Sequence, residues 1–141
     1  MFNHNGFLNY KLPHSWCAEE DADKLLLYNP NGHGAMIISF FNTLDTEKSL
    51  DEQICILAQR FINRHVINLH SSLILVNKGS KTLLYGTGTT ADNWFIKLWI
   101  VAKRPKIVFA TYQSERKNPE VRICDSIVDS FQFEKTGDGF V

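Results

Sequence analysis

Between Leu73 and Gln113 the chain strings together β-forming runs separated by little more than turns. Leu73–Asn77 and Thr82–Tyr85 flank Lys78-Gly79-Ser80-Lys81, which is a hairpin signal. Thr87, Thr89 and Thr90 are β-branched and extend the second run. Trp94–Lys103 is long enough for either a helix or a strand, but its aromatic and β-branched content favours a strand. Arg104-Pro105 breaks the chain tightly, and Lys106–Gln113 is a further run. Connections this short join antiparallel neighbours. The segment therefore predicts an antiparallel meander of four strands, on which the rest of the chain has to pack.

Two amphipathic helices are available to cover such a sheet. In Ser49–His65, Ser49 and Glu52 have the spacing of a capping box, in which the hydroxyl and the carboxylate each satisfy a free N–H. Asp51 and Glu52 suit the positive end of the helix dipole, and Arg60, Arg64 and His65 suit its negative end. Leu50, Ile54, Leu57, Ala58, Phe61 and Ile62 fall on one face, with Gln53, Gln59, Arg60, Asn63 and Arg64 on the other. The second helix is announced by Asn118-Pro119-Glu120, an N-cap followed by proline at the first helical position. Val121, Cys124, Ile127, Val128 and Phe131 follow at helical spacing. Upstream, Phe7–Leu12, a segment after Trp16, Lys24–Tyr28 and Ala35–Phe41 read as strands, the last two joined through the turn residues Asn29–Gly34. Phe131 and Phe133 suggest a short final strand, and 136–141 reads as a frayed tail. The coarse order is ββββ-α-ββββ-α. It implies one α+β domain over 1–141, with a core from about 7 to 134 and a central twisted, mostly antiparallel sheet flanked by helices.

Composition removes several functional classes. The chain has 141 residues, 15 Lys plus Arg and 15 Asp plus Glu, so its formal net charge is zero. A nucleic-acid-binding domain usually carries a basic excess against phosphate, and none exists here. The longest apolar stretch with a single charge, Trp94–Ala102, is far shorter than the ~20 residues of a membrane helix. Met1–Gly6 has neither a basic nor an apolar leader region, so no signal peptide is expected. The three cysteines, Cys17, Cys55 and Cys124, are odd in number and far apart, which reads as reduced thiols in a cytoplasm. Cys55 and Cys124 lie on or beside the apolar faces of the two helices and are expected to pack inward.

The motifs that could carry chemistry are incomplete. Gly86-Thr87-Gly88-Thr89-Thr90-Ala91 matches a relaxed dinucleotide pattern. That chemistry needs a following helix and an acid at the end of the next strand. The sequence after it is strand-like, and about 20 residues on stands Phe109-Ala110-Thr111. A glycine-bearing strand end is the plainer reading. Asn31-Gly32-His33-Gly34 lacks the lysine of a phosphate loop and reads as a turn. His14 and Cys17 form one half of a zinc-type pair without a second half, and His65 and His70 lack ligand spacing on a helix. G-x-S-x-G is absent. Glu19, Glu20, Asp21 and Asp23 read as one solvated acidic turn. No catalytic set, metal site or cofactor is assigned.

The aromatic residues are the most suggestive group. On the long strand, Trp94, Ile96, Leu98 and Ile100 share one face, while Phe95, Lys97, Trp99, Val101 and Lys103 share the other. The second face mixes aromatics with lysines, as interaction patches do. A helix lying over it, with the lysine stems alongside, is the expected state. Trp94, Lys97, Trp99 and Tyr112 are nevertheless the candidate partner- or ligand-binding residues. If a pocket beside the sheet binds a small molecule instead, Trp94, Trp99, Tyr112 and His33 would line it.

Tyr10-Lys11-Leu12-Pro13-His14-Ser15-Trp16 resembles the opening strand and Leu-Pro-x-x-Trp pattern of PsbP-like proteins. The hairpin through Ala35–Ser39, the helix opened by Ser49-Leu50-Asp51-Glu52, the meander, and the ending Ile123–Phe133 resemble that group in the same order. The group includes a Ran-binding nuclear-transport factor, and the chain is most similar to its small uncharacterised bacterial members. The resemblance covers about 7–134 and implies a central antiparallel sheet between helices, an α/β/α sandwich. It brings no catalytic residues, and it implies an interaction module. The expectation is a cytoplasmic, non-enzymatic domain that binds a protein partner, with immunity or secretion-associated roles as examples. A small-molecule binder or small enzyme is the alternative.

Overall fold

The protein is described by a computed structural model over residues 1–21, 23–43 and 47–134. Five strands come first: β1 (Phe2–His4), β2 (Leu8–Tyr10), β3 (Cys17–Asp21), β4 (Lys24–Tyr28) and β5 (Gly34–Asn42). Helix α1 (Leu50–Arg64) follows, then β6 (Asn68–Leu69), β7 (Ile74–Lys78), β8 (Lys81–Thr89), β9 (Phe95–Lys103) and β10 (Lys106–Ser114). Helix α2 (Glu120–Asp129) and β11 (Gln132–Phe133) complete the described chain. The residues from 135 to 141, expected to fray, lie outside the described residues.

The large sheet runs β3-β4-β5-β10-β9-β8-β6, with β7 also pairing β8, and each pairing is antiparallel. The four meander strands form where the turn chemistry places them. Lys78 pairs Lys81 across Gly79-Ser80, and Lys103 pairs Lys106 across Arg104-Pro105. The fold also contains a feature that the sequence did not suggest. β1, β2 and β11 make a separate three-stranded sheet, so Phe7–Leu12 does not join the main one. β1 is polar at Asn3 and His4 and carries no strand signal. His4 is buried, stacks on Phe40 at 4.3 Å, and bonds Glu20 through Nδ1 at 3.2 Å. The ordered region thus starts before residue 7.

The β-strand alternation divides the interior into two cores, one on each face of the large sheet. One contains α1, with Ile54, Ala58 and Ile62 set against Leu84, Ile96, Leu98, Ile100 and Phe109. The other contains α2 and the small sheet, with Val121, Cys124, Ile127, Leu8 and Tyr10 set against Phe95, Trp99, Val108 and Tyr112. Ser49 caps α1 as expected, its Oγ accepting from the Glu52 N–H at 3.1 Å. The Asn118 side chain accepts from the Glu120 N–H at 2.8 Å, so it caps α2 even though Pro119 stands between them.

Two readings of the sequence are corrected here. Cys55 is exposed, not packed inward: it sits one position past Ile54, just off the buried stripe of α1. Glu19, Glu20 and Asp21 are exposed residues of β3, the outer strand of the sheet, and not a turn. Edge strands are kept from adding further strands by charge of this kind.

Candidate functional site

A helix is about 10–12 Å across and neighbouring strands are about 4.8 Å apart, so one helix covers little more than two strands. α1 lies over β8 and β9 and reaches β10 through Phe61, whose ring is 4.9 Å from that of Phe109. β4 and β5 remain beside it, and on that face no described helix lies above them. β5 nevertheless has apolar side chains on both faces. Met36 and Ile38 are buried in the α2 core, whereas Ile37 and Phe41 point the other way and are 42% and 41% exposed.

The result is a groove of about 810 Å³ between α1 and the uncovered part of the sheet. Its floor comes from Ile37, Ser39 and Phe41 on β5, Ile96 on β9, and Phe109, Thr111 and Gln113 on β10. One flank is α1, with Leu57, Arg60, Phe61, Arg64 and His65. Lys24 of β4 also lines it, and the β8–β9 turn closes it with Thr90, Ala91, Asp92 and Trp94. Trp94 is 43% exposed. The turn that holds it is fixed by Trp94 N–H donating to Thr90 Oγ1 at 3.0 Å and by Thr90 N–H donating to the Trp94 carbonyl at 2.8 Å. Among the described residues the groove therefore combines a mainly apolar floor with four basic side chains and one acid.

Of the four candidate residues named from sequence, only Trp94 lies in this groove. Trp99 and Tyr112 are 2% and 0% exposed on the opposite face of the sheet. α2 covers that face, as its amphipathic pattern required. Asp125 of α2 accepts from Lys97 Nζ at 2.7 Å and from Trp99 Nε1 at 3.0 Å. Lys97 Nζ also lies 5.3 Å from the Tyr85 ring centre and 5.2 Å from that of Trp99. These lysine and tryptophan groups hold α2 onto the sheet. Tyr112 donates to Glu120 Oε1 at 2.8 Å, and burial pushes its pKa up to about 12. His33 lies elsewhere, beside a smaller cavity of about 360 Å³ formed with Glu115, Arg116, Lys117 and Asn118. The residues that sequence reasoning missed are Lys24, Ile37, Phe41, Arg60, Arg64 and His65. The available signal was in β5, whose two apolar faces required two covers.

The motifs resolve in structural terms. Gly86-Thr87-Gly88 lies inside β8, and β9 follows it, so no helix N-terminus faces a phosphate. A Cβ at Gly88 would stand 2.8 Å from the Asn68 carbonyl oxygen, and one at Gly86 would stand 2.5 Å from Leu73 Cδ2. The glycines admit the crossing chain from β6 to β7. His70 bonds Thr87 Oγ1 at 3.2 Å and Thr89 Oγ1 at 2.8 Å. Burial pushes the Cys124 thiol well above its ordinary range, which disfavours the thiolate. Among the described residues no group of three or more His, Cys, Asp or Glu is placed to hold a metal ion. No described helix is long and apolar enough to cross a membrane.

Neither a protein-family model nor a curated protein matches the sequence. Solved structures do match in shape. A protein from Bacteroides thetaiotaomicron superposes with a TM-score of 0.68 at 18% identity, covering 96% of this chain and 48% of that one. The chain thus spans about half the length of that protein. Cyanobacterial PsbP (CyanoP) from Synechocystis superposes with a TM-score of 0.63 at 9% identity, covering 92% of this chain and 94% of that one. The second match covers nearly the whole of both chains, and on that ground the chain has the PsbP-like fold.

Proposed function

We propose that this chain is a non-enzymatic protein-interaction module of the cytoplasm, and that its partner docks in the groove beside α1. One observation carries the reading: Ile37 and Phe41 from one strand, β5, and Trp94 from the β8–β9 turn expose their apolar surface into the same groove. Clustered exposed apolar and aromatic residues on a protein surface mark interaction sites. Three free cysteines support a reducing compartment. A small molecule in the same groove is the second reading, supported by a volume within the ~300–1,000 Å³ range of ligand pockets.

The test is affinity capture from the native organism with the wild-type chain and with a Phe41→Ser, Trp94→Ala variant. The wild type is expected to retain a specific protein and the variant to lose it, while both melt at similar temperatures. Turnover of a panel of esters, phosphates or nucleotides that disappears on one point substitution would overturn the reading. So would a partner held equally well by the variant.

A further inference from the structure

The charge of the groove does not match the charge of the molecule. The whole chain balances at zero, yet among the described residues the groove gathers Lys24, Arg60, Arg64 and His65 against one acid, Asp92. The bases come from two separated parts of the chain, β4 and the C-terminal half of α1. Helix-dipole complementarity explains why basic residues stand late in α1. It does not explain Lys24, which belongs to a strand. Lys24 pairs in register with Ser39, whose neighbours Ile37 and Phe41 are the exposed floor.

We infer that the groove takes an acidic peptide segment of its partner, with an aromatic or aliphatic side chain inserted between the basic residues. The inference rests on the reading of this groove as the docking surface. The chemistry has two parts. The floor at Ile37, Phe41 and Phe109 gains by burial of an apolar side chain. The rim at Lys24, Arg60 and Arg64 gains by pairing with carboxylates, and arginine does so in a bidentate manner. A peptide suits the site better than a compact ligand. Ile37, Phe41 and Trp94 are each about two-fifths exposed, and a segment lying along the groove covers all three together. A nucleic-acid strand suits it less well, because a chain with 15 basic and 15 acidic residues lacks the basic excess that phosphate binding draws on.

The experiment pans a displayed library of random linear peptides against the full chain at low ionic strength, with an oligouridylate strand as a parallel probe. Selected peptides are expected to pair Asp or Glu with Phe, Trp or Leu. A synthetic winner should bind about tenfold more weakly to an Arg60→Glu, Arg64→Glu variant, equivalent to ~1.4 kcal/mol. It should also weaken with added salt. Lys24→Glu, on a different element, should weaken it in the same direction. Winners without acids that are lost on Phe41→Ser with Trp94→Ala would overturn the charge inference and leave the groove reading intact. Acidic winners indifferent to all of these substitutions would overturn both. Failure to select any peptide, or tighter binding of the oligouridylate, would overturn the peptide inference.

Discussion

The Glu120 carboxylate stands at the first turn of α2, only 7% exposed. It accepts from the backbone N–H groups of His33 at 3.2 Å and Gly34 at 3.1 Å and from the Tyr112 hydroxyl at 2.8 Å. One side chain thus ties the β4–β5 turn, β10 and α2 together. Gly32 leaves room for it, since a Cβ there would collide with the carboxylate. The sequence marks Glu120 as a favourable acid at a helix start, and that is correct as far as it goes. Its bonds to His33 and Gly34 span more than eighty residues, which local patterns cannot register. For the same reason Tyr112 was a plausible binding residue from sequence: strand alternation tells which face a side chain takes, not what lies over it. The buried hydroxyl has a measurable consequence. Unfolded tyrosine ionises near pH 10 and folded Tyr112 near about 12, because burial disfavours the phenolate. Its contribution is therefore complete below pH 10 and is lost as pH rises through about 12. Urea denaturation over this range should show the stability gap between wild type and Tyr112→Phe narrowing with pH. A constant gap would contradict the account.

At the scale of elements, α1 was legible at its start and less so at its end. Ser49 and the acids after it signal the N-terminus, and the cap forms. The C-terminus has no glycine to mark it. It is closed by Ile67 N–H donating to the Ile62 carbonyl at 3.0 Å and Val66 N–H donating to the Asn63 carbonyl at 3.4 Å. That pattern requires a left-handed residue, and Val66 supplies it with φ +53°. Glycine is the usual occupant, because a β-branched side chain is strained there. Val66 is 69% exposed, so replacing it removes little packing. Val66→Gly is expected to stabilise the protein by about 1 kcal/mol, after allowing for the greater freedom of glycine in the unfolded chain. Chemical denaturation checks this, and a loss of stability would show that the valine side chain packs more than its exposure indicates. β6 and β1 were missed because short, polar strands carry no periodicity of their own; their partners define them.

Across the whole molecule, the α+β class, the antiparallel meander and both helices followed from periodicity and turn chemistry. The groove did not, because it depends on where α1 comes to rest. Its apolar stripe says that a sheet face will be covered, and its width says that two strands will be. Neither says which two. Once α1 lies over β8 and β9, β5 keeps an open apolar face and the late basic residues of α1 become a groove wall. The charge balance is a property of the molecule as a whole. With 15 positive and 15 negative side chains and an isoelectric point near pH 7.0, self-repulsion is least close to neutrality. Solubility, measured by precipitation across pH, is expected to pass through a minimum near pH 7 and to rise on both sides. A minimum displaced by more than about one pH unit would mean that folding has shifted the balance.

The two outer margins of the large sheet are unlike. On β3, Glu19, Glu20 and Asp21 are exposed, whereas on β7 the exposed residues include Ile74 and Leu75. If two copies met along β7, the joined sheet would present an acidic strand at both ends. Two such acidic strands repel one another, so copies would not join through β3 on both sides. The difference between the margins means that like-with-like strand pairing is disfavoured by charge at β3 and not at β7.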